Sequence, residues 1–238
     1  MMDELLVALD VDTVAEARAL ADRLRGVGGG FKIGSRLFTS VGPRFVEELA
    51  SRGDRVFLDL KFHDIPNTVA GAIAAATRLG VWMVNVHASG GSAMMRAARA
   101  AADEEAARRG RPAPLLIAVT MLTSLDLPAL TEIGLIASVT AQVERLAMLT
   151  ESAGLDGVVA SPQEIAIIRR ACGPGFRIVT PGIRGAGDAK GDQSRTLSAA
   201  DALAAGASYL VVGRPIIAAA DPRAAAERIA AECRGHAS

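Results

Sequence analysis

Eight short apolar runs recur along this chain, and they limit its fold more than any other feature. They are LLVALD at 5–10, GFKIG at 30–34, RVFLDL at 55–60, WMVNVHA at 82–88, LLIAVTML at 115–122, GVVAS at 157–161, FRIVTPG at 176–182 and YLVVG at 209–213. Each is too short for a helix and none alternates strictly, the pattern of strands covered on both faces. Between them lie Ala-, Arg- and Glu-rich segments such as TVAEARALADRLR and AMMRAARAAADEEAARR, which read as amphipathic helices. Asp12 or Thr13 is placed to cap the first helix, Ser161 with Pro162 opens another, and PRAAAERIAAEC supplies the closing one. Strand and helix alternate eight times with no linker, so the expected fold is α/β, a single (β/α)8 TIM barrel over 1–238. The rival is a doubly wound open sheet, which wants a glycine fingerprint after the first strand; LDVDTVAEA has none.

Composition removes several classes of function. Lys plus Arg and Asp plus Glu both number 26, giving a net charge of +0, so no basic excess marks a nucleic-acid binder. Aromatic residues are 3% of the chain, too few for base-stacking platforms. Cys172 and Cys233 stand far apart without metal-ligand spacing, which reads as two reduced thiols. The start, MMDELLVALDVD, carries Asp3 and Glu4 and too short an apolar run for a signal peptide, and no stretch reaches a membrane span. The expectation is a soluble cytoplasmic protein with no membrane or nucleic-acid partner.

In such a barrel the active site forms at the C-terminal strand ends. Polar residues gather there: Asp10, Lys32, Asp59 with Lys61, His87, then Thr120, Thr123 and Ser124, and finally Arg184 and Arg214. Asp59 and Lys61 interrupt an apolar run. Residues i and i+2 share a strand face, so both should point into the barrel mouth while Leu58, Leu60 and Phe62 face the helices. Alone, this could be a structural ion pair; with Lys32 and Asp10 expected nearby, it becomes an alternating array suited to a charged substrate. A second feature points to phosphate. The glycine-rich segment TPGIRGAGDAKGDQSRT (180–196) follows strand seven and VGRPI (212–216) follows strand eight, where barrels hold phosphate on backbone amides. Arg214 would add a forked clamp. His63 and His87 have no partners for a metal site or a triad and read as structural, and no EF-hand, P-loop, HExxH or GxSxG pattern occurs.

DLKFHDIPNT (59–68), TPGIR (180–184), DQ (192–193) and VGRPI (212–216), with ALD near the start and FKIG around Lys32, together resemble the orotidine 5'-phosphate decarboxylase family across nearly the whole chain. The resemblance implies conversion of orotidine 5'-monophosphate to UMP and CO2 in pyrimidine biosynthesis, with no metal, no cofactor and a homodimer. It implies a charged tetrad of Lys32, Asp59, Lys61 and Asp64, with Lys61 as proton donor. Asp64, Ile65 and Thr68 would reach the partner's site. Asp10 and Lys32 would meet the ribose, and Thr123 or Ser124 the pyrimidine. Pro181 lies in the TPGIR motif of the substrate site. Gln193, Arg214 and the Gly213 amide would hold phosphate, supported by Arg184.

Other readings remain open. Sugar-phosphate barrels such as keto-gulonate phosphate decarboxylases and hexulose phosphate synthases share a D-x-K-x-x-D core but use magnesium on extra carboxylates, which strands one to three do not supply. A Schiff-base aldolase needs a desolvated lysine whose charged form is disfavoured, whereas Lys61 sits between carboxylates. A barrel that merely binds a nucleotide would bind without turnover.

Overall fold

The computed structural model describes residues 2–135, 138–183 and 197–235. Eight parallel strands close into a barrel in sequence order. They are β1 (Met2–Ala8), β2 (Gly28–Gly34), β3 (Val56–Phe62), β4 (Met83–His87), β5 (Leu115–Val119), β6 (Gly157–Val159), β7 (Arg177–Thr180) and β8 (Tyr209–Val212). β8 pairs back onto β1 through Leu5 with Leu210 and Val7 with Val212, so no edge is left open. Every apolar run of the sequence becomes a strand, and the (β/α)8 barrel is the observed fold.

The helices form where their caps allow. Thr13, rather than Asp12, caps Val14–Leu24, its side chain accepting the Glu16 amide. Ser161 begins a short 3-10 turn with Pro162 that runs on into the helix Ile165–Cys172. The closing helix is Pro222–Gly235. The sequence pattern did not separate out the short helices Ser35–Val41, Leu127–Glu132 and Arg214–Ile217, which span at most two turns and carry little periodic signal. Among the described residues no helix is long and apolar enough to cross a membrane.

Two apolar layers result. The larger lies between strands and helices and includes Leu5, Ile33, Leu58 and Val84, with Leu60 and Phe62 packed against it. The smaller fills the barrel: Leu6, Ala8, Phe57, Met83, Ile117, Val179 and Val211, with Trp82 and Tyr209 beneath. Trp82 and Tyr209 meet edge to face at 5.2 Å and Arg55 covers the Trp82 ring, so aromatic side chains stop the N-terminal end. Wholly burying a side chain such as Phe57 or Ile117 stabilises the fold by about 1.5–3 kcal/mol.

Gly157 lets the short strand β6 fit between its neighbours. A Cβ there would lie 2.1 Å from the Arg177 carbonyl oxygen. Gly157→Ala should therefore destabilise the barrel by about 1–3 kcal/mol through overpacking. A urea midpoint equal to that of the wild type would mean that β6 shifts freely, contrary to the packing described.

Candidate functional site

The inward residues change character along each strand. On β1 and beyond they run Leu6, Ala8, Asp10; on β3, Phe57, Asp59, Lys61; on β4, Met83, Asn85, His87. Apolar side chains give way to polar ones at the C-terminal mouth. There a cavity of about 230 Å³ is lined by Asp10, Lys32, Asp59, Lys61, Thr123, Pro181, Gly213 and Arg214, over an apolar floor that includes Ala8, Phe57 and Val211.

Four charges form a continuous line. Lys32 Nζ donates to Asp10 Oδ1 at 2.9 Å and lies 3.5 Å from Asp59 Oδ2. Lys61 Nζ donates to Asp59 Oδ1 at 2.6 Å. Signs alternate from Asp10 through Lys32 and Asp59 to Lys61. Lys32 is nearly enclosed, and Gly34 makes room for it: a Cβ at Gly34 would lie 2.9 Å from Lys32 Nζ. Burial opposes ionisation of Asp59, but attraction to Lys32 and Lys61 and hydrogen bonds from Lys61 and Asn85 outweigh it, so its carboxyl lies below the usual range. The site therefore holds a fixed anion between two cations.

Lys61 does not reach this place by regular strand geometry. Its φ is +53°, the one left-handed backbone among the described non-glycine residues. Such a conformation costs about 1–2 kcal/mol for a residue with a Cβ. The β3–β4 register jumps between Leu58 opposite Val84 and Phe62 opposite Val86, which marks a bulge. The expectation that Asp59 and Lys61 share a face through the simple two-residue period is thus met by a different route. The chain kinks, and Lys61 turns back onto Asp59.

Asn85 was not singled out by the sequence. It is wholly buried in the barrel. Its Oδ1 accepts the Lys61 backbone N–H at 2.8 Å and its Nδ2 donates to Asp59 Oδ1 at 2.7 Å. The signal was present as one amide inside the apolar run WMVNVHA. His87 stands above it, with its ring 5.4 Å from that of His63.

Other expected residues lie apart. Asp64, Ile65 and Thr68 are exposed and do not line the cavity; Asp64 Oδ1 instead accepts the neighbouring Ile65 N–H at 2.6 Å. Ser124 is also outside the lining. Thr120 is buried, its hydroxyl donating to the Val159 carbonyl at 3.1 Å, which makes it a tie between β5 and β6. Arg184 and Gln193 lie outside the described residues. Burial pushes both thiols, Cys172 and Cys233, up to about 11, so neither is a ready nucleophile. A wider cleft of about 390 Å³ opens elsewhere, beside Gly28, Gly29 and Gly30. Its Arg25 and Asp54 are spent on each other in a two-pronged pair, so it gathers less chemistry than the barrel mouth.

Comparison with known proteins agrees with this geometry. A family model described as "Orotidine 5'-phosphate decarboxylase / HUMPS family" matches residues 3–229. The chain belongs to the orotidine 5'-phosphate decarboxylase / HUMPS family. The orotidine 5'-phosphate decarboxylase of Moorella thermoacetica is 60% identical, covering 97% of this chain and 92% of the relative. That of Alkalilimnicola ehrlichii is 55% identical, covering 96% and 95%. The crystal structure of orotidine 5'-phosphate decarboxylase from Lactobacillus acidophilus superposes with a TM-score of 0.86 at 36% identity, covering 96% of this chain and 98% of that one. With relatives of this name at such identity, the chain is a carboxy-lyase of the family.

His87, above Asn85, is expected to give an acid response. Burial, then His63 and Lys61, lower its pKa below the ordinary 6.5, against a smaller pull from Asp59. The unfolded chain therefore binds this proton more readily than the folded one. Stability linked to His87 is complete above about pH 6.5 and is lost as pH falls towards the lowered folded value. His87→Gln should lose less stability than the wild type between pH 7 and pH 5 in urea titrations. Equal losses in both proteins would remove His87 from the acid response.

Proposed function

We propose that this chain converts orotidine 5'-monophosphate to UMP and CO2, without metal or cofactor, with Lys61 as the proton donor to C6. The observation that supports it best is the alternating line Asp10, Lys32, Asp59 and Lys61 at the mouth of a barrel filled below by apolar side chains. When the C6–carboxylate bond breaks, its electron pair stays on C6, where the ring offers no evident sink. The Lys61 ammonium stabilises that charge as it develops and then delivers its proton to C6. The neutral amine left behind regains a proton from solvent, so one proton is consumed for each CO2 released. Asp59 and Lys32 keep Lys61 in one place, and Asp59 lies beside the departing carboxylate.

The rest of the cavity suits the remainder of the nucleotide. Asp10 and Lys32 would meet the ribose hydroxyls and Thr123 the pyrimidine edge. Gly213 and Arg214, which line the cavity just past β8, would hold the phosphate, with Pro181 in the same wall. Binding energy from the phosphate, remote from C6, can be spent on assembling the site around the ring. The same reading makes this a step of pyrimidine biosynthesis in the cytoplasm. It also takes the molecule to be a homodimer in which Asp64, Ile65 and Thr68 complete the partner's site.

Purified protein should therefore convert orotidine 5'-monophosphate to UMP in excess EDTA, followed by absorbance. Activity lost to EDTA and restored by Mg²⁺ would favour the sugar-phosphate enzymes instead. Lys61→Ala should lower kcat by at least about 10²-fold with the fold intact, the scale of a general acid; a variant retaining a tenth of wild-type kcat would exclude Lys61 from that role.

The shared site has its own test. Lys61→Ala and Asp64→Asn homodimers should each be nearly inactive. After subunit exchange, one site of each heterodimer collects both lesions and the other collects neither, so about a quarter of all sites become wild type. Exchange is verified with a tag on one variant. Proven exchange without recovered activity would confine Asp64 to its own chain.

A further inference from the structure

We propose that Asn85 is a positioning residue for the decarboxylation: its single amide holds the left-handed kink at Lys61 and aims the Asp59 carboxylate, so that the Lys61 ammonium enters the cavity in one orientation. The inference rests on the function proposed above and assigns a part of the machinery outside the charged tetrad.

From Leu58 to Phe62, β3 advances four residues while β4 advances two, from Val84 to Val86. Asn85 is the β4 residue between them. Its own backbone is paired on the other side, opposite Ile117 of β5. A bulge of this kind takes the Lys61 N–H out of the regular ladder, and a buried N–H needs an acceptor. Asn85 Oδ1 supplies it at 2.8 Å.

The other half of the amide, Nδ2, donates at 2.7 Å to Asp59 Oδ1, the same oxygen that accepts Lys61 Nζ at 2.6 Å. A backbone N–H on one side demands an oxygen, and a carboxylate on the other demands an NH2. The amide orientation is therefore dictated by its partners. At neutral pH asparagine satisfies both where its nearest replacements do not: leucine serves neither, and an ionised aspartate meets Asp59 with like charge. One wholly buried side chain thus ties the backbone of Lys61 to the carboxylate that holds its ammonium.

The decisive variants are Asn85→Asp and Asn85→Leu. Asn85→Asp keeps an acceptor for the Lys61 N–H but sets a second carboxylate against Asp59. Such pairs share a proton, and a protonated Asp at this position would restore the donor to Asp59. At neutral pH kcat should fall by about 10²-fold, the scale of a small misplacement of a reacting group. The ratio of Asn85→Asp to wild-type kcat should then climb as pH is lowered. Asn85→Leu should lose as much at every pH with no acid recovery, and Asn85→Ala replaces it should the Leu variant fail to fold. UMP affinity by calorimetry should stay within about threefold of wild type in all of them, a split expected when only transition-state contacts are lost.

An Asn85→Asp ratio that does not change with pH, or an Asn85→Leu or Asn85→Ala enzyme with near-wild-type kcat, overturns the proposal. A crystal structure of the Leu or Ala variant gives a reading independent of turnover. Lys61 should leave the left-handed region or lose its contact with Asp59; retention of both the kink and the contact sinks the idea. Should the wild type itself fail to decarboxylate the nucleotide, the functional reading falls, and the structure of the variant still decides what holds Lys61.

Discussion

The Asp59 carboxylate is taken almost out of water at the end of β3, and it can stay ionised there only because two ammonium groups stand beside it. Desolvating a lone carboxylate would push its pKa up and neutralise it. A unit charge at about 4 Å offsets that by about 4 kcal/mol where the effective dielectric constant is near 20. Lys32, Lys61 and the Asn85 amide together tip Asp59 the other way. Each member then depends on the rest. Removing Asp59 would leave two cations facing each other, and removing Lys32 would leave Asp59 and Asp10 with one cation fewer between them. A cluster of this kind is costly to assemble for stability alone. Its place at the open end of the barrel, where a ligand can enter, makes chemistry the better reason for it.

The barrel supplies the setting that makes those charges count. Its lower half is filled by Leu6, Phe57, Met83, Ile117 and Val179, and its N-terminal end is stopped by Trp82 and Tyr209. Water therefore reaches the charges from one side. Low polarity beneath them strengthens every attraction above. The inward rows explain why a strand that looks like core turns abruptly polar: the same row lines the packed interior and, two residues later, the mouth.

Much of this was legible in the sequence, for definite reasons. Strands covered on both faces read as continuous apolar runs, so all eight were visible. Polar residues ending those runs were expected at the mouth, which brought out Asp10, Lys32, Asp59 and Lys61. Thr120 misled, because a residue at a strand end can face either way and its hydroxyl was needed on the Val159 carbonyl. Asn85 passed unseen because an uncharged amide within WMVNVHA reads as an ordinary core irregularity. Its meaning depends on a register jump between two strands, and pairing is not written in either strand alone. The left-handed Lys61 was hidden for the same reason, since lysine has no preference for positive φ to announce it.

The kink also bears on where the chain goes next. Beyond Lys61 the strand ends at Phe62, and residues 63–68 run exposed over the rim before the helix Pro66–Arg78 is under way. Pro66 sits at the first turn of that helix, which fixes the direction of the turn. Asp64 is left outside its own cavity, bonded to the next residue's amide, and Ile65 beside it is 66% exposed. On the proposed reading, this exposed isoleucine next to an acidic group, held by a stiff turn at the edge of a charged cavity, is what the partner's site would take up. A bulge that brings Lys61 inward and throws Asp64 outward would serve both halves of a two-fold pair at once. The strain at Lys61 would then position the ammonium of one site while presenting the carboxylate that completes the other.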